Sequence, residues 1–216
     1  MISLNLRKRI NTSFLLFFLI YLILNYNFVL VYSLIVLGVI SIIEFYTLVK
    51  KILNNKILSF LVNLFFTLYI YFFCFMFFFF SNVLQLKIIL YSLLIGCVAS
   101  DIGGFVFGKL FNGPKLTKIS PNKTISGAIG SIIFTSLAIS ISIFYFTKNF
   151  NYLILIICII TSVACQIGDL FFSFLKRKAK IKDTGNFLPG HGGVLDRLDG
   201  ILFGVPIGIY ALTLIY

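Results

Sequence analysis

The 216-residue chain is 60% apolar and only 11% charged, with a mean hydropathy of +1.10. Soluble domains carry roughly 25% charged residues, so this composition excludes a water-soluble globular fold and implies a protein whose surface faces lipid. The net charge of +12 would suggest nucleic acid in a soluble protein. In a chain this apolar, basic loops first set orientation in the bilayer, and no nucleic-acid partner is expected.

Seven apolar runs read as membrane spans, at 10–24, 28–49, 57–80, 88–107, 125–146, 152–175 and 198–216. Most approach the roughly 20 residues needed to cross a bilayer, and the first is the shortest. The fold class expected is therefore an all-α integral membrane protein, a single membrane domain in which residues 1–90 supply N-terminal helices and residues 91–216 carry the chemistry. The basic start at Arg7, Lys8 and Arg9 followed by an apolar stretch has the form of a signal peptide. No small-residue cleavage pattern follows Asn25-Tyr26-Asn27, so a retained first helix is expected. Phe75–Phe80 in the third run reads as membrane filler. Cys74, Cys97, Cys158 and Cys165 all fall in apolar stretches without a C-x-x-C pair, which indicates packing residues and neither a disulfide framework nor a zinc site.

If residues 1–9 are cytoplasmic, 16 of the 18 basic residues lie in cytoplasmic loops and only Lys87 and Lys148 lie outside. That asymmetry is what the positive-inside rule expects of a correct span count and orientation. The six acids, Glu44, Asp101, Asp169, Asp183, Asp196 and Asp199, all fall in or beside the cytoplasmic half. Asp101 and Asp169 each precede the cytoplasmic end of an apolar run by six residues, which puts both roughly 9 Å below that surface. A charge inside a span costs at least about 2.5–3.5 kcal/mol on insertion scales, so two carboxylates at one depth suggest a shared site. Glu44 has no motif around it and is expected to snorkel toward Lys50 or Lys51.

The segment from Ser173 reads S-F-L-K-R-K-A-K-I-K-D-T-G-N-F-L-P-G-H-G-G-V-L-D-R-L-D-G. Its Lys and Arg residues can neutralise phosphate, backbone N–H groups of a glycine-rich turn can cradle an anion, and Asp carboxylates are hard ligands suited to Mg2+. Together they describe a nucleotide-phosphate site. Asp196 and Asp199, three apart, would share one face if the last helix has begun, and Asp169 and Ser173, four apart, would share another. Pro189-Gly190 and Gly192-Gly193 argue for a sharp turn with close backbone approach. Lys178 and Lys180 read as readily as orientation anchors or contacts to anionic headgroups as they do as parts of the phosphate site. His191, uncharged, would offer one donor and one acceptor.

This block resembles the signature of the bacterial phosphatidate cytidylyltransferase family, S-x-x-K-R-x4-K-D-x-G-x2-L-P-x-H-G-G-x-x-D-R-x-D, at every fixed position from Ser173 to Asp199. A second stretch, from Asp101-Ile102-Gly103-Gly104 through Gly108-Lys109 to Lys118-Ile119-Ser120-Pro121-Asn122-Lys123-Thr124, is similar to the family's other loop, with its I-S-P-x-K-T core intact. The chain departs from the family at Ser126, where a Glu usually precedes the glycine, and residues 1–90 match only in being hydrophobic.

The resemblance implies a nucleotidyltransferase of phospholipid biosynthesis in the bacterial inner membrane, with the site facing the cytoplasm. In that reaction the phosphate of phosphatidic acid attacks the α-phosphorus of CTP, releasing pyrophosphate and leaving CDP-diacylglycerol in the bilayer. Asp169 and Asp196 are expected to hold Mg2+, with Asp199 or Asp101 completing the shell. Lys176, Arg177, Lys182 and Arg197 would bind the triphosphate and lipid phosphate. Lys123 and Ser120 would approach from the preceding loop beside Pro121 and Thr124. Ser173, Asp183, His191, Gly190, Gly192 and Gly193 occupy the remaining matched positions. A second cation and a homodimer are compatible with the same reading. Alternatives are a CTP-dependent polyprenol or phytol kinase, expected to lack the full H-G-G-x-x-D-R-x-D block, and a cation transporter, expected to place acids near the bilayer midplane.

Overall fold

The computed structural model describes residues 15, 18–23, 25–117, 120–121, 123–148, 151–187 and 192–215. Six long helices account for nearly all of it: α1 (Asn27–Ile52), α2 (Lys56–Asn82), α3 (Leu84–Phe111), α4 (Ile125–Thr147), α5 (Leu153–Lys178) and α6 (Leu195–Ile215). Each is long and apolar enough to cross a membrane. Most of the run expected at 10–24 lies outside the described residues, although Leu15 and residues 18–23 are helical. An isolated antiparallel bridge joins Lys115 and Thr124.

Local chemistry sets the ends. Asn55 Oδ1 accepts the N–H groups of Ile57 (2.9 Å) and Leu58 (3.4 Å), starting α2. Asn151 Oδ1 does the same for Leu153 at the start of α5. These are orphan donors that lipid could not satisfy. Asn112, with φ 41, ends α3 in the left-handed conformation that asparagine tolerates better than most residues. Several helices overrun their apolar stretches: α3 begins four residues before 88, and α6 begins at Leu195 instead of 198. The early start of α6 places both Asp196 and Asp199 on the helix.

The chain divides into two compact units, Met1–Phe78 with Leu175–Arg197 and Phe79–Phe174 with Leu198–Tyr216. In the first, α1 packs on α2 through stacked Phe45 and Phe66 rings, with centroids 3.7 Å apart. Gly38 of α1 admits Ile70 and Cys74. Leu30, Leu48 and Val49 are buried on the same helix. On α2, Phe65, Phe72 and Phe75 point outward, the surface a bilayer requires.

In the second unit, small residues bring backbones together. A Cβ on Gly103 of α3 would meet Gly130 O and Phe134 Cβ of α4 at 2.5 and 2.7 Å. Ser131 Oγ donates to Ser100 O (2.8 Å), and Thr135 Oγ1 to Gly96 O (3.3 Å), across the same contact. On α6, Gly200, Gly204 and Gly208 recur every fourth residue. Gly204 faces Cys165 and Cys97, while Gly208 faces Thr161 and Leu93. Apolar side chains gain little by leaving lipid, so such small-residue seams and interhelical hydrogen bonds drive association. All four cysteines are free, and Cys97, Cys158 and Cys165 are buried as packing residues.

Gly103→Val should lower the thermal midpoint of detergent-solubilised protein by the equivalent of about 1–3 kcal/mol, the usual cost of overpacking. Ile129→Val, on the exposed side of α4, should leave it nearly unchanged. Heating followed by size-exclusion chromatography reads both.

Candidate active site

Each unit carries one polar centre built from the motifs. In the second unit, the α3–α4 loop folds back on itself. Leu116 N–H donates to Lys123 O (2.7 Å), Ile125 N–H to Pro114 O (2.9 Å), and Lys123 N–H to Ser120 O (3.0 Å). Thr124 Oγ1 accepts the Gly127 N–H (3.1 Å) and so caps α4. Ser126 lies 3.0 Å from Thr124 Oγ1 and accepts the Gly113 N–H (3.3 Å). It therefore ties the neck of the loop.

This fold-back delivers Lys123 Nζ to Asp169 Oδ2 of α5 at 2.9 Å. The pair borders a cavity of about 170 Å³ lined by Ser100, Asp101, Thr124 and Gln166 among others. Asp101 and Asp169 thus line one cavity. Gly200 makes room for it, since a Cβ there would stand 3.0 Å from Asp169 Oδ1. Asp199 Oδ1 accepts the Gly200 N–H at 3.0 Å. Ser120 shapes the loop through its backbone, and Pro121 is exposed. Ser173 is half-buried on α5. The sequence reading missed Ser100, Ser131 and Gln166 as lining residues; Gln166 lies three residues before Asp169, on the same helix face.

The first unit holds the end of α5 and the segment that follows. Lys180, at φ 55, closes α5 in the left-handed conformation. Its N–H donates to Arg177 O (3.1 Å) and the Ile181 N–H to Lys176 O (3.0 Å), the bond pattern of a Schellman terminus. Lys176, Arg177 and Lys178 occupy the last turn, where cations complement the helix dipole. Asp196 organises the segment. Its Oδ1 accepts Lys176 Nζ (2.8 Å), and its Oδ2 accepts the N–H groups of Thr184 (2.8 Å) and Gly193 (3.1 Å). Three of the roughly four acceptor positions of a carboxylate are thus filled by this chain. Gly192 has φ +86, a conformation costly to any residue with a Cβ. Arg177, Lys182, Asp183 and Arg197 are exposed. Gly190 and His191, with Lys118, Ile119 and Asn122 of the other loop, lie outside the described residues.

Glu44 overturns the snorkelling expectation. It is 2% exposed and accepts Thr184 Oγ1 (2.8 Å), the Val194 N–H (3.0 Å) and the Leu195 N–H (2.8 Å). The carboxylate turns inward because unpaired donors at the start of α6 attract it more than lysines already able to reach water. Among the described residues, no three His, Cys, Asp or Glu side chains form a ready metal-ligand cluster. The acids among the residues that line the cavity are Asp101 and Asp169, whose carboxylates are hard ligands of the kind Mg2+ takes.

Helices fit to span a bilayer, with lysine–carboxylate centres at their ends, define a polytopic membrane protein equipped to handle phosphate. The family comparison makes this specific. The sequence model of the cytidylyltransferase family matches residues 1–215, and the chain belongs to that family. It is similar to the phosphatidate cytidylyltransferase of Staphylococcus haemolyticus, 42% identical over 135 residues, covering 62% of this chain and 52% of the relative. The corresponding Helicobacter pylori protein is 45% identical over 127 residues, covering 56% and 45%. That of Staphylococcus aureus is 44% identical over 136 residues, covering 62% and 52%. The chain spans about half the length of the curated relatives it matches.

Asp196→Ala would strand Lys176, whose side chain is 15% exposed, and two backbone donors. Breaking a largely buried pair from one side typically costs about 3–5 kcal/mol. Thermal unfolding in detergent should show a much larger loss for Asp196→Ala than for Asp183→Ala, which alters an exposed residue.

Proposed function

We propose that this protein transfers CMP from CTP to phosphatidic acid, yielding CDP-diacylglycerol and pyrophosphate, in the cytoplasmic membrane of a bacterium. Family membership and the names of the relatives support the reaction class. The observation that carries the reading for this chain is the Lys123–Asp169 pair on the same cavity as Asp101, a cation and two hard acids beside the start of α4.

A phosphate oxygen of the lipid attacks the α-phosphorus of CTP. The new P–O bond forms as the bond from the α-phosphorus to the bridging oxygen breaks, and pyrophosphate departs with that electron pair. The acceptor is already anionic near neutral pH, so the protein needs no nucleophile and little general base. Its work is positioning and charge neutralisation. Lys123 neutralises a phosphate oxygen at the cavity; Arg177, Lys182 and Arg197, in the other unit, are exposed cations of the kind that bind phosphate. Asp101 and Asp169 are the residues that would hold Mg2+, which supplies charge neutralisation to the triphosphate when bound. Asp196 keeps the segment around Gly193 in shape instead of offering a free carboxylate.

The charge pattern supports the orientation. Lys50, Lys51, Lys56, Lys109, Lys115, Lys123 and the Lys176–Arg197 group fall at alternate helix ends, and Lys87 and Lys148 at the opposite ones. Lys148→Cys should react with an impermeant maleimide added to intact cells, and Lys115→Cys only after lysis. The reverse labelling would invert the orientation.

The reaction is tested by transfer of label from α-phosphate-labelled CTP into a chloroform-soluble product by purified protein with phosphatidic acid and Mg2+. Asp169→Asn and Lys123→Ala should each lower kcat/KM by about 10²-fold or more, the scale of losing one preorganised charge-stabilising group. EDTA should abolish transfer and excess Mg2+ restore it. An active protein indifferent to Lys123→Ala would remove that residue from the site, and no lipid label with any divalent ion would reject the reaction.

A further inference from the structure

The strongest feature outside the expected machinery is Glu44, the sole acid on α1. It is buried beside Ser41, Phe45 and Leu48, yet all three of its hydrogen bonds go to residues at least 140 positions away in the chain. Its Oε2 accepts Thr184 Oγ1 and the Leu195 N–H, both at 2.8 Å, and its Oε1 accepts the Val194 N–H at 3.0 Å. Val194 and Leu195 open α6, so the carboxylate stands where the helix dipole favours negative charge. The space is shaped for it. A Cβ on Gly185 would strike Glu44, and one on Gly193 would come within 2.6 Å of Glu44 Oε2.

Glu44 shares this task with Asp196, which holds the Thr184 and Gly193 N–H groups. One carboxylate from α1 and one from the first turn of α6 therefore pin the two limbs of the same segment, residues 184–185 and 193–195. Lys182 and Asp183 lie just outside one limb and Asp196 and Arg197 just outside the other. The register between those charged residues follows from the two clamps.

We propose that Glu44 is a positioning residue for cytidylyl transfer, setting the register of the Lys182–Asp183 and Asp196–Arg197 limbs so that their cations meet the triphosphate; this rests on the function proposed above. Glu44 itself touches no substrate. Its chemistry is specific, because three donors converge on two acceptor oxygens. Glutamine would turn an NH2 group toward at least one N–H or hydroxyl donor, and aspartate, one methylene shorter, would withdraw from at least one partner.

The test compares wild type with Glu44→Gln, Glu44→Asp and Thr184→Val, measuring kcat and KM separately for CTP and phosphatidic acid, with amide hydrogen exchange on the same preparations. Glu44→Gln should raise the KM for CTP by about tenfold, the scale of one lost hydrogen bond to a charged group. The KM for phosphatidic acid should hold, and exchange at Val194 and Leu195 should accelerate while α3 and α4 keep their protection. Glu44→Asp should fall between Gln and wild type. Thr184→Val, which keeps the carboxylate and both amide bonds, should raise the CTP KM less, and it decides the matter if Glu44→Gln does not fold. Unchanged CTP kinetics in folded Glu44→Gln, or equal losses for both substrates, would overturn the proposal. Wild-type protein that transfers no label would reject the parent reaction instead, and amide exchange, which needs no turnover, would still show whether Glu44 fixes the segment.

Discussion

Hydrocarbon gives an unpaired N–H or carboxylate no water to fall back on, and this constraint organises the rest of the structure. A helix start buried away from water must find acceptors within the protein, and a buried acid must find donors. The start of α6 meets the demand from two directions. Glu44 takes the N–H groups of Val194 and Leu195, and Asp196 takes those of Gly193 and Thr184. Two acids that would each be expensive alone become the means by which Thr184 and Gly193–Leu195 are held in place. The same logic explains Gly185 and Gly193: the room their missing side chains leave is filled by a carboxylate and a hydroxyl.

A second consequence is that helix association depends on closeness of backbones. Gly103 against Gly130 brings α3 and α4 together, and the hydroxyls of Ser131 and Thr135 then reach carbonyls of α3. Close packing is also what gives the cavity its polar wall, because Ser100, Ser131 and Gln166 line it while serving as interhelical ties. Stability and site share residues here, so a polar group on this seam is paired whether or not a ligand is present.

The sequence discloses the helices well, because an apolar run of about 20 residues has one stable form in a bilayer. It discloses their ends less well. The apolar run at 198 says nothing of a helix beginning at Leu195, since the acceptor that permits the earlier start lies 151 residues away. Asp101 and Asp169 are legible as neighbours because equal depth from a helix end is a geometric property of the chain itself. Lys123 is legible through its motif, but its pairing with Asp169 depends on a loop fold-back that only the Lys115–Thr124 bridge and its hydrogen bonds define. Glu44 is the clearest gap. Its visible partners in sequence are Lys50 and Lys51, and nothing local announces donors from the far end of the chain. Ser126 is similar: the departure from the family pattern is visible, but its service as a tie between Thr124 and Gly113 is not.

The pairing of Lys123 with Asp169 also bears on how such a site can rest without substrate. An isolated carboxylate at the end of a span would pay for its desolvation, and so would an isolated ammonium; joined at 2.9 Å, with 29% and 20% of their side chains exposed, they form a neutral unit that keeps contact with the cavity. The proposed reaction brings anionic phosphates together with a cation. Under the proposed reaction Asp169 would help hold the cation and Lys123 would neutralise a phosphate oxygen, so neither side chain would stand uncompensated. Lys176 and Asp196 lack that freedom, because Asp196 also holds two backbone donors. Exchange of partners there would release the two backbone donors that Asp196 holds.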